Sequence, residues 1–138
     1  MKGYPFQIQV PIQWGDMDAL GHVNNAVYFR WFESVRVAIG HKVGLIATPP
    51  GETGPIVAHT GCDYRKALRY PGDVTVGARV RRIGTTSIEM EYAIARTDAP
   101  NDLIATGRSI VVLVRYATGE KVPVPTPLRV SLLYYHEQ

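Results

Sequence analysis

The 138-residue chain has the usual length of one domain and is long enough to bury a hydrophobic core without covalent cross-links. Its 46% hydrophobic and 20% charged residues are typical of a globular protein and exclude an intrinsically disordered one. The formal net charge of +3 is spread along the chain, so it does not indicate nucleic-acid binding, although scattered cations would suit an anionic small molecule. We expect residues 1–138 to form a single domain.

Cysteine count and hydropathy indicate the compartment. Cys62 is the only cysteine, which excludes an intramolecular disulfide and a cysteine-based zinc site. No apolar run approaches the ~18 residues that span a bilayer, and the first residues lack the apolar core of a signal peptide. The four histidines show no metal-ligand spacing. We therefore expect a cytoplasmic protein that uses no metal, no cofactor and no membrane.

The first two predicted elements are a strand and a helix. Residues 6–14 alternate apolar and polar side chains, and Pro11 places this strand at a sheet edge or at a bulge. From Asn24 to about Val43 the apolar residues recur at spacings of three and four. This pattern predicts one long helix, with Asn24 as its N-cap and an end near Gly44.

A proline- and glycine-rich segment, Ala47–Pro55, predicts a loop after the helix. A short C-terminal helix is expected at Leu128–Tyr135. Between them, turn residues separate four predicted strands, namely Ile56–Lys66, Val74–Ile83, Thr86–Arg96 and Leu103–Tyr116. One strand, one helix and four strands in this order predict an α+β domain in which a curved antiparallel sheet wraps the long helix.

The segment between the first strand and the helix concentrates polar side chains. It reads Asp16-Met17-Asp18-Ala19-Leu20-Gly21-His22-Val23-Asn24-Asn25-Ala26-Val27-Tyr28 and continues with Glu33 and Arg36 on the helix. A loop at a helix start can aim a carboxylate and free backbone N–H groups at one point, where a carbonyl and its developing negative oxygen can be held. The segment therefore suits acyl-transfer chemistry.

This segment resembles the D-x-D-x-x-G-H-V-N-N-x-x-Y-x-x-x-x-E-x-x-R signature of hot-dog fold acyl-CoA thioesterases, and most of all the 4-hydroxybenzoyl-CoA thioesterase-like branch. The resemblance implies the hot-dog fold and hydrolysis of an acyl-CoA to a free acid and CoA. It also implies assembly into at least a homodimer, with pockets between subunits. The broad apolar arc of the helix and the apolar run Ser109–Val114 likewise favour a homodimer or homotetramer.

The resemblance assigns two catalytic candidates, Asp18 and Asn25, and the loop itself offers His22 as a third. Asp18 is the carboxylate that acts as nucleophile or general base, and a turn or capping role is its alternative. The backbone N–H of Asn25 is the oxyanion donor at the positive end of the helix. His22 orients the aspartate or binds the substrate, with a purely structural place in the loop as its alternative.

Five further residues are candidates for substrate binding: Asp16, Gly21, Asn24, His59 and Thr60. Stiffening of the loop is the favoured alternative for Asp16, and helix capping is that for Asn24. A glycine at position 21 permits close approach of the backbone. His59 and Thr60 would line the same pocket from the strand after the loop.

Several charged residues have expected partners. Glu33 and Arg36 are spaced for an i,i+3 ion pair on the helix. Basic residues at predicted strand ends are candidates for contacts with the CoA phosphates: Arg65, Lys66, Arg69, Arg81 and Arg82. Charged strand ends are common in any case, so these candidates are weaker than those of the loop.

Absent motifs narrow the function further. The chain has no G-x-S-x-G, H-E-x-x-H or G-x-G-x-x-G segment and no phosphate-binding loop ending in Gly-Lys-Ser/Thr, which argues against serine hydrolases, zinc peptidases and nucleotide-binding enzymes. Two alternatives to an acyl-CoA thioesterase stay open. One is a thioesterase that acts on an acyl carrier protein, and the other is a non-catalytic acyl-CoA binding module.

Overall fold

The computed structural model describes residues 1–136. A 3-10 helix, Trp14–Asp16, lies between the first strand and the first α-helix. In chain order the other elements are β1 (Phe6–Pro11), α1 (Asn25–Val43), β2 (Thr53–Tyr64), β3 (Asp73–Ile83), β4 (Ser87–Arg96), β5 (Leu103–Arg115) and α2 (Thr126–Leu133). The predicted order of one strand, one long helix and four strands is confirmed.

All five strands form one antiparallel sheet in the order β1-β3-β4-β5-β2. Helix α1 packs against one face of this sheet, which we call the inner face, and buries its apolar side there, with Phe32 and Val35 fully enclosed. Inward-facing side chains such as Val76 of β3 and Ile94 of β4 complete the core. This is the hot-dog fold that the sequence resemblance implied.

Helix α1 begins and ends where the sequence predicts. The side chain of Asn24 accepts a hydrogen bond from the N–H of Ala26 at 3.0 Å, so the predicted N-cap is confirmed. Gly44 has φ of 84°, the left-handed conformation that commonly ends a helix and that glycine adopts without strain. Within residues 1–136, no helix combines the length and the hydropathy that crossing a membrane requires.

Three elements have boundaries that differ from the prediction by two residues or more. Strand β1 stops at Pro11, and the chain then turns into the 3-10 helix. Strand β2 begins at Thr53, inside the segment predicted as loop; it tolerates Pro55 because an edge strand pairs along only one side. Helix α2 begins at Thr126, since a proline in the first helical turn removes no intrahelical hydrogen bond.

The exposed apolar strand is β2, not the predicted Ser109–Val114 segment. In β5 the side chains of Ser109, Val111 and Leu113 are buried within the single chain. Along β2, by contrast, Ile56 and Val57 are 47% and 45% exposed. The surplus apolar surface therefore lies on the free edge of the sheet.

Gly107 of β5 provides a test of the packing between helix and sheet. A Cβ added there would overlap the ring of Phe32, which is fully buried. We expect Gly107→Ala to lower the free energy of unfolding by about 1–3 kcal/mol, the usual cost of overfilling a packed core. Urea unfolding followed by circular dichroism measures the change. Gly61→Ala on β2 is the control, since its Cβ would meet only His59 Nε2 at 3.7 Å; equal losses in the two variants would contradict the argument.

Candidate active site

The loop before α1 is a tight turn closed by backbone hydrogen bonds. Met17 and Val23 form an isolated antiparallel bridge, and the N–H of Asp18 donates to the carbonyl of His22 at 2.7 Å. The N–H of Gly21 returns to the carbonyl of Asp18 at 3.1 Å. Gly21 has φ of 77°, so glycine is needed here for the left-handed backbone. The loop is thus held rigidly at its base, where Asp18 lies.

The side chain of Asp18 is exposed, and only one of its two oxygens is engaged. Oδ1 accepts from the N–H of Leu20 at 2.9 Å and, more weakly, from the N–H of His22 at 3.4 Å. Among residues 1–136, Oδ2 has no hydrogen-bond donor. The Asx turn that was the alternative role of Asp18 therefore leaves one carboxylate oxygen available for chemistry.

A free backbone donor lies at the start of α1. The cap at Asn24 satisfies the N–H of Ala26, but within the described residues no acceptor meets the N–H of Asn25. Free N–H groups at a helix N-terminus carry the positive end of the helix dipole. Asn25 therefore presents the kind of group that binds a developing oxyanion.

Asp18 and Asn25 border one cavity of about 350 Å³, which we call the Asp18 cavity. Its wall combines the loop, the first turn of α1 and the chain that follows β2. The residues that line it are Asp18, His22, Val23, Asn25, Tyr28, Tyr64, Arg65, Lys66 and Ala67. It is open to solvent and brings all three predicted catalytic residues together.

His22 is held by an arginine from the segment that follows β2. Its Nε2 lies 3.0 Å from Nη2 of Arg69. Because a guanidinium can only donate, Nε2 must accept, which places the proton of the neutral ring on Nδ1. The imidazole is therefore oriented as a donor through Nδ1. Arg69 was predicted only as a phosphate contact, since its sequence position gives no sign that it reaches His22.

Two tyrosines close the other side of the cavity. The hydroxyl of Tyr64 donates to the carbonyl of Asn25 at 2.8 Å, which ties the end of β2 to the first turn of α1. Its ring meets that of Tyr28 edge-on, with 4.9 Å between centroids. Burial, with a smaller contribution from nearby Cys62, raises the pKa of Tyr28 to about 12. Tyr28 is therefore a neutral phenol at physiological pH. Sequence patterns indicated neither contact, because both join distant segments.

Asp16 lies outside the Asp18 cavity, and its carboxylate and carbonyl oxygens make three structural contacts. Its Oδ1 pairs with Nη2 of Arg30 at 2.8 Å, and its Oδ2 accepts from the N–H of Gln13 at 2.8 Å. Its carbonyl accepts from the N–H of Asn24 at 2.9 Å. The residue is only 5% exposed. These contacts support the loop-stiffening alternative for Asp16 rather than substrate binding.

The expectation that His59 and Thr60 line one pocket with Asp18 is not met within the chain. Thr60 is paired with the inward-facing Ser109, whereas His59 is paired with Ile110 on the opposite, outer face of the sheet. Directly opposed residues in an antiparallel pair point to the same side, and neighbours along a strand point to opposite sides. Neither residue borders the Asp18 cavity.

The predicted Glu33–Arg36 ion pair is also wrong for the residues described. Arg36 instead directs Nη1 toward the hydroxyl of Tyr92, at 3.5 Å, and Tyr92 is hydrogen-bonded to Ser109. Tyr92 and Ser109 are fully buried. A buried hydroxyl pair needs hydrogen-bond partners more than an exposed carboxylate does, so the tertiary contact prevails over the local spacing.

The chain matches a known family and several solved structures. The thioesterase-like superfamily matches residues 12–132 of the chain. The structure of the PA5185 protein from Pseudomonas aeruginosa strain PAO1 is 27% identical over 99% of this chain and 95% of its own, with a TM-score of 0.91. The PA2801 protein of Pseudomonas aeruginosa is 32% identical over 93% and 98% of the two chains, with a TM-score of 0.86.

A third solved structure contains a ligand. The thioesterase from Thermus thermophilus, complexed with coenzyme A and Zn, is 27% identical over 98% of this chain and 96% of that one, with a TM-score of 0.80. In the chain described here, residues 1–136 contain no group of three or more His, Cys, Asp or Glu side chains placed to hold a metal ion.

Asp16→Asn tests whether Asp16 anchors the loop. An amide replaces one of the two accepting oxygens of this buried side chain with an NH2 group that can only donate, so either Arg30 or the N–H of Gln13 loses its acceptor. We therefore expect the free energy of unfolding to fall by roughly 1–3 kcal/mol. Asp102→Asn is the matched control because it removes an exposed ion pair with Lys66, for which we expect less than about 1 kcal/mol. Urea unfolding of both variants gives the comparison, and indistinguishable midpoints would argue against an anchoring role.

Proposed function

The chain belongs to the thioesterase-like superfamily, and from this premise we propose that it hydrolyses acyl-CoA thioesters to a carboxylic acid and CoA. The observation that carries the proposal is the shared cavity. It is bordered by Asp18, whose Oδ2 has no donor among residues 1–136, and by Asn25, whose N–H has no acceptor there. The similar Thermus thermophilus thioesterase was solved with coenzyme A, which favours CoA as the carrier.

The positive end of α1 would polarise the thioester carbonyl. With the carbonyl oxygen on the N–H of Asn25, negative charge that develops during attack meets an already oriented donor. No reorganisation of the backbone is required at that moment, because the Asn24 cap and the hydroxyl of Tyr64 hold the first helical turn. Each such donor is typically worth a factor of about 10²–10³ in rate.

Asp18 would supply the attacking group in one of two ways. As nucleophile, Oδ2 adds to the carbonyl carbon, the C–S bond breaks to release the CoA thiolate, and water then hydrolyses the mixed anhydride. As general base, Oδ2 takes a proton from the water that adds to the carbonyl carbon directly. Both routes consume one water and give the same acid and thiol. His22, with its proton on Nδ1, would donate a hydrogen bond to the substrate in either route.

We also propose that the protein works as a homodimer joined along β2. Strand β2 has a neighbour on one side only, and it exposes Ile56 and Val57. Long exposed edge strands pair readily with another chain unless they are covered. A second copy on this edge would bring its own β2, with its inward-facing Thr60, beside the open Asp18 cavity.

The carboxylate mechanism is tested by Asp18→Asn, which keeps the side-chain shape and removes its basicity. Turnover is expected to fall by about 10²–10⁴, the range for a positioned proton-transfer or attacking group. Release of free thiol from a panel of short, long and aromatic acyl-CoAs, without added metal, is the measurement. Asp16→Asn is the matched variant, and any loss of turnover in it should be accompanied by a lower free energy of unfolding.

The outcomes separate the alternatives. Near-normal turnover in Asp18→Asn would contradict the carboxylate mechanism. Wild-type protein that binds acyl-CoA but hydrolyses none of the panel would favour a binding module. Hydrolysis that occurs only when the acyl group is on a carrier protein would favour a carrier-protein thioesterase. All variants are compared after circular dichroism has shown that they fold.

Assembly is tested by light scattering at micromolar concentration. We expect the wild type to be a dimer or a tetramer, and Val57→Lys to shift it toward the monomer because a charge at the joined edge would be desolvated. Val130→Lys, at a 53% exposed apolar position on α2, is the control and should leave the assembly unchanged. A wild-type monomer that hydrolyses substrate at full rate would exclude a site shared between subunits.

A further inference from the structure

A second cavity, of about 520 Å³, lies on the outer face of the sheet, and we call it the outer cavity. Its floor is formed where β2 pairs with β5, with Gly61 opposite Arg108 and Asp63 opposite Thr106. Gly61 has no side chain, which leaves the floor open between its neighbours. The volume is within the range of pockets that bind nucleotide-sized ligands.

Three arginines border the outer cavity, and they differ in how they are neutralised. Arg79 is paired with Glu91 at 3.1 Å, whereas Arg108 lies 3.7 Å from Glu89, at the limit of an ion pair. Within residues 1–136 the guanidinium of Arg65 has no acidic or hydrogen-bonding partner. Arg65 and Arg108 are therefore the cations best able to accept an added anion, and planar guanidinium groups bind phosphates in a bidentate manner.

Arg65 also lines the Asp18 cavity, so it borders both spaces. It follows the last residue of β2, and its backbone N–H is fixed on the carbonyl of Ile104 at 2.9 Å. An acyl-CoA has two chemically different ends, with the pantetheine arm between the thioester and the phosphorylated nucleotide. The protein likewise has two cavities, with Arg65 bordering both, so each end of an acyl-CoA has a separate space available.

We propose that the outer cavity binds the 3′-phosphorylated ADP end of coenzyme A, with Arg65 and Arg108 on its phosphates, while the thioester occupies the Asp18 cavity. The carboxylate of Asp63 accepts from an adenine amino group or a ribose hydroxyl. This inference rests on the proposed function and selects CoA over a carrier protein, because a carrier presents the same arm without a nucleotide. Pairing along the β2 edge would leave both faces of the sheet accessible.

The test compares one acyl group on CoA and on pantetheine, which lacks both the nucleotide and the phosphates. Arg108→Gln, at a residue that borders the outer cavity but not the Asp18 cavity, is expected to lower kcat/KM for the CoA thioester by about 10- to 100-fold, mainly through KM, and to affect the pantetheine thioester far less. Arg115→Gln, at an exposed arginine near the opposite end of β5, should leave the ratio of the two kcat/KM values unchanged. Thermal unfolding checks that both variants fold.

Adenosine 3′,5′-bisphosphate provides a readout that does not depend on turnover. Calorimetry should detect its binding to the wild type and weaker binding to Arg65→Gln and Arg108→Gln. Equal losses for the CoA and pantetheine thioesters, or undiminished bisphosphate binding in both variants, would overturn the inference. Failure of the wild type to hydrolyse either thioester would instead refute the proposed function, and bisphosphate binding would still decide whether the outer cavity is a nucleotide site.

Discussion

The geometry of the candidate site depends on the buried carboxylate of Asp16. Hydrogen bonds to its carboxylate and carbonyl join Gln13, which lies just after β1, the helix cap and Arg30 of α1. A carboxylate buried to this extent would be costly if it were unpaired. The side chain of Arg30 is 65% exposed, however, so the ion pair alone stabilises little. The hydrogen bond from the N–H of Gln13 adds to this stabilisation, and that from the N–H of Asn24 holds the loop against the helix cap. Together these bonds fix the position of Asp18, two residues later.

The two oxygens of Asp18 explain how one residue can serve both the loop and the chemistry. A role in a turn and a role in catalysis are usually regarded as alternatives for one aspartate. Here Oδ1 accepts the hydrogen bonds of the turn, and Oδ2 has no donor among residues 1–136, so the turn fixes in advance the direction of the oxygen that we propose to react. Fixing the attacking group before the substrate arrives removes part of the entropic cost of the reaction. A structural contact at Asp18 is thus compatible with the proposed catalysis and supports it.

The local spacing of apolar residues predicted the helices and strands of this fold. It did not predict the side-chain contacts between residues that are distant in the sequence. The spacing of apolar residues and the cap at Asn24 predicted α1 to within one residue at its start, because helix signals are local. The proposed Glu33–Arg36 pair failed because Arg36 reaches Tyr92, 56 positions away. The contact between Arg69 and His22 was missed for the same reason. The loop and its helix were predictable as a site, but the residues that hold them from other segments were not.

The placement of His59 also could not be predicted from the local sequence pattern. Val57 is paired with the inward-facing Val111, and simple alternation would put His59 on that inner face as well. A bulge between Val57 and His59 inserts one residue, which turns His59 outward and Thr60 inward. Nothing in the sequence marks this bulge. Beyond it, the outward-facing residues of β2 face the outer cavity, while Tyr64 borders the Asp18 cavity. The bulge therefore decides which side chains of β2 face the inner side of the sheet and which face the outer cavity, where we propose that the nucleotide binds.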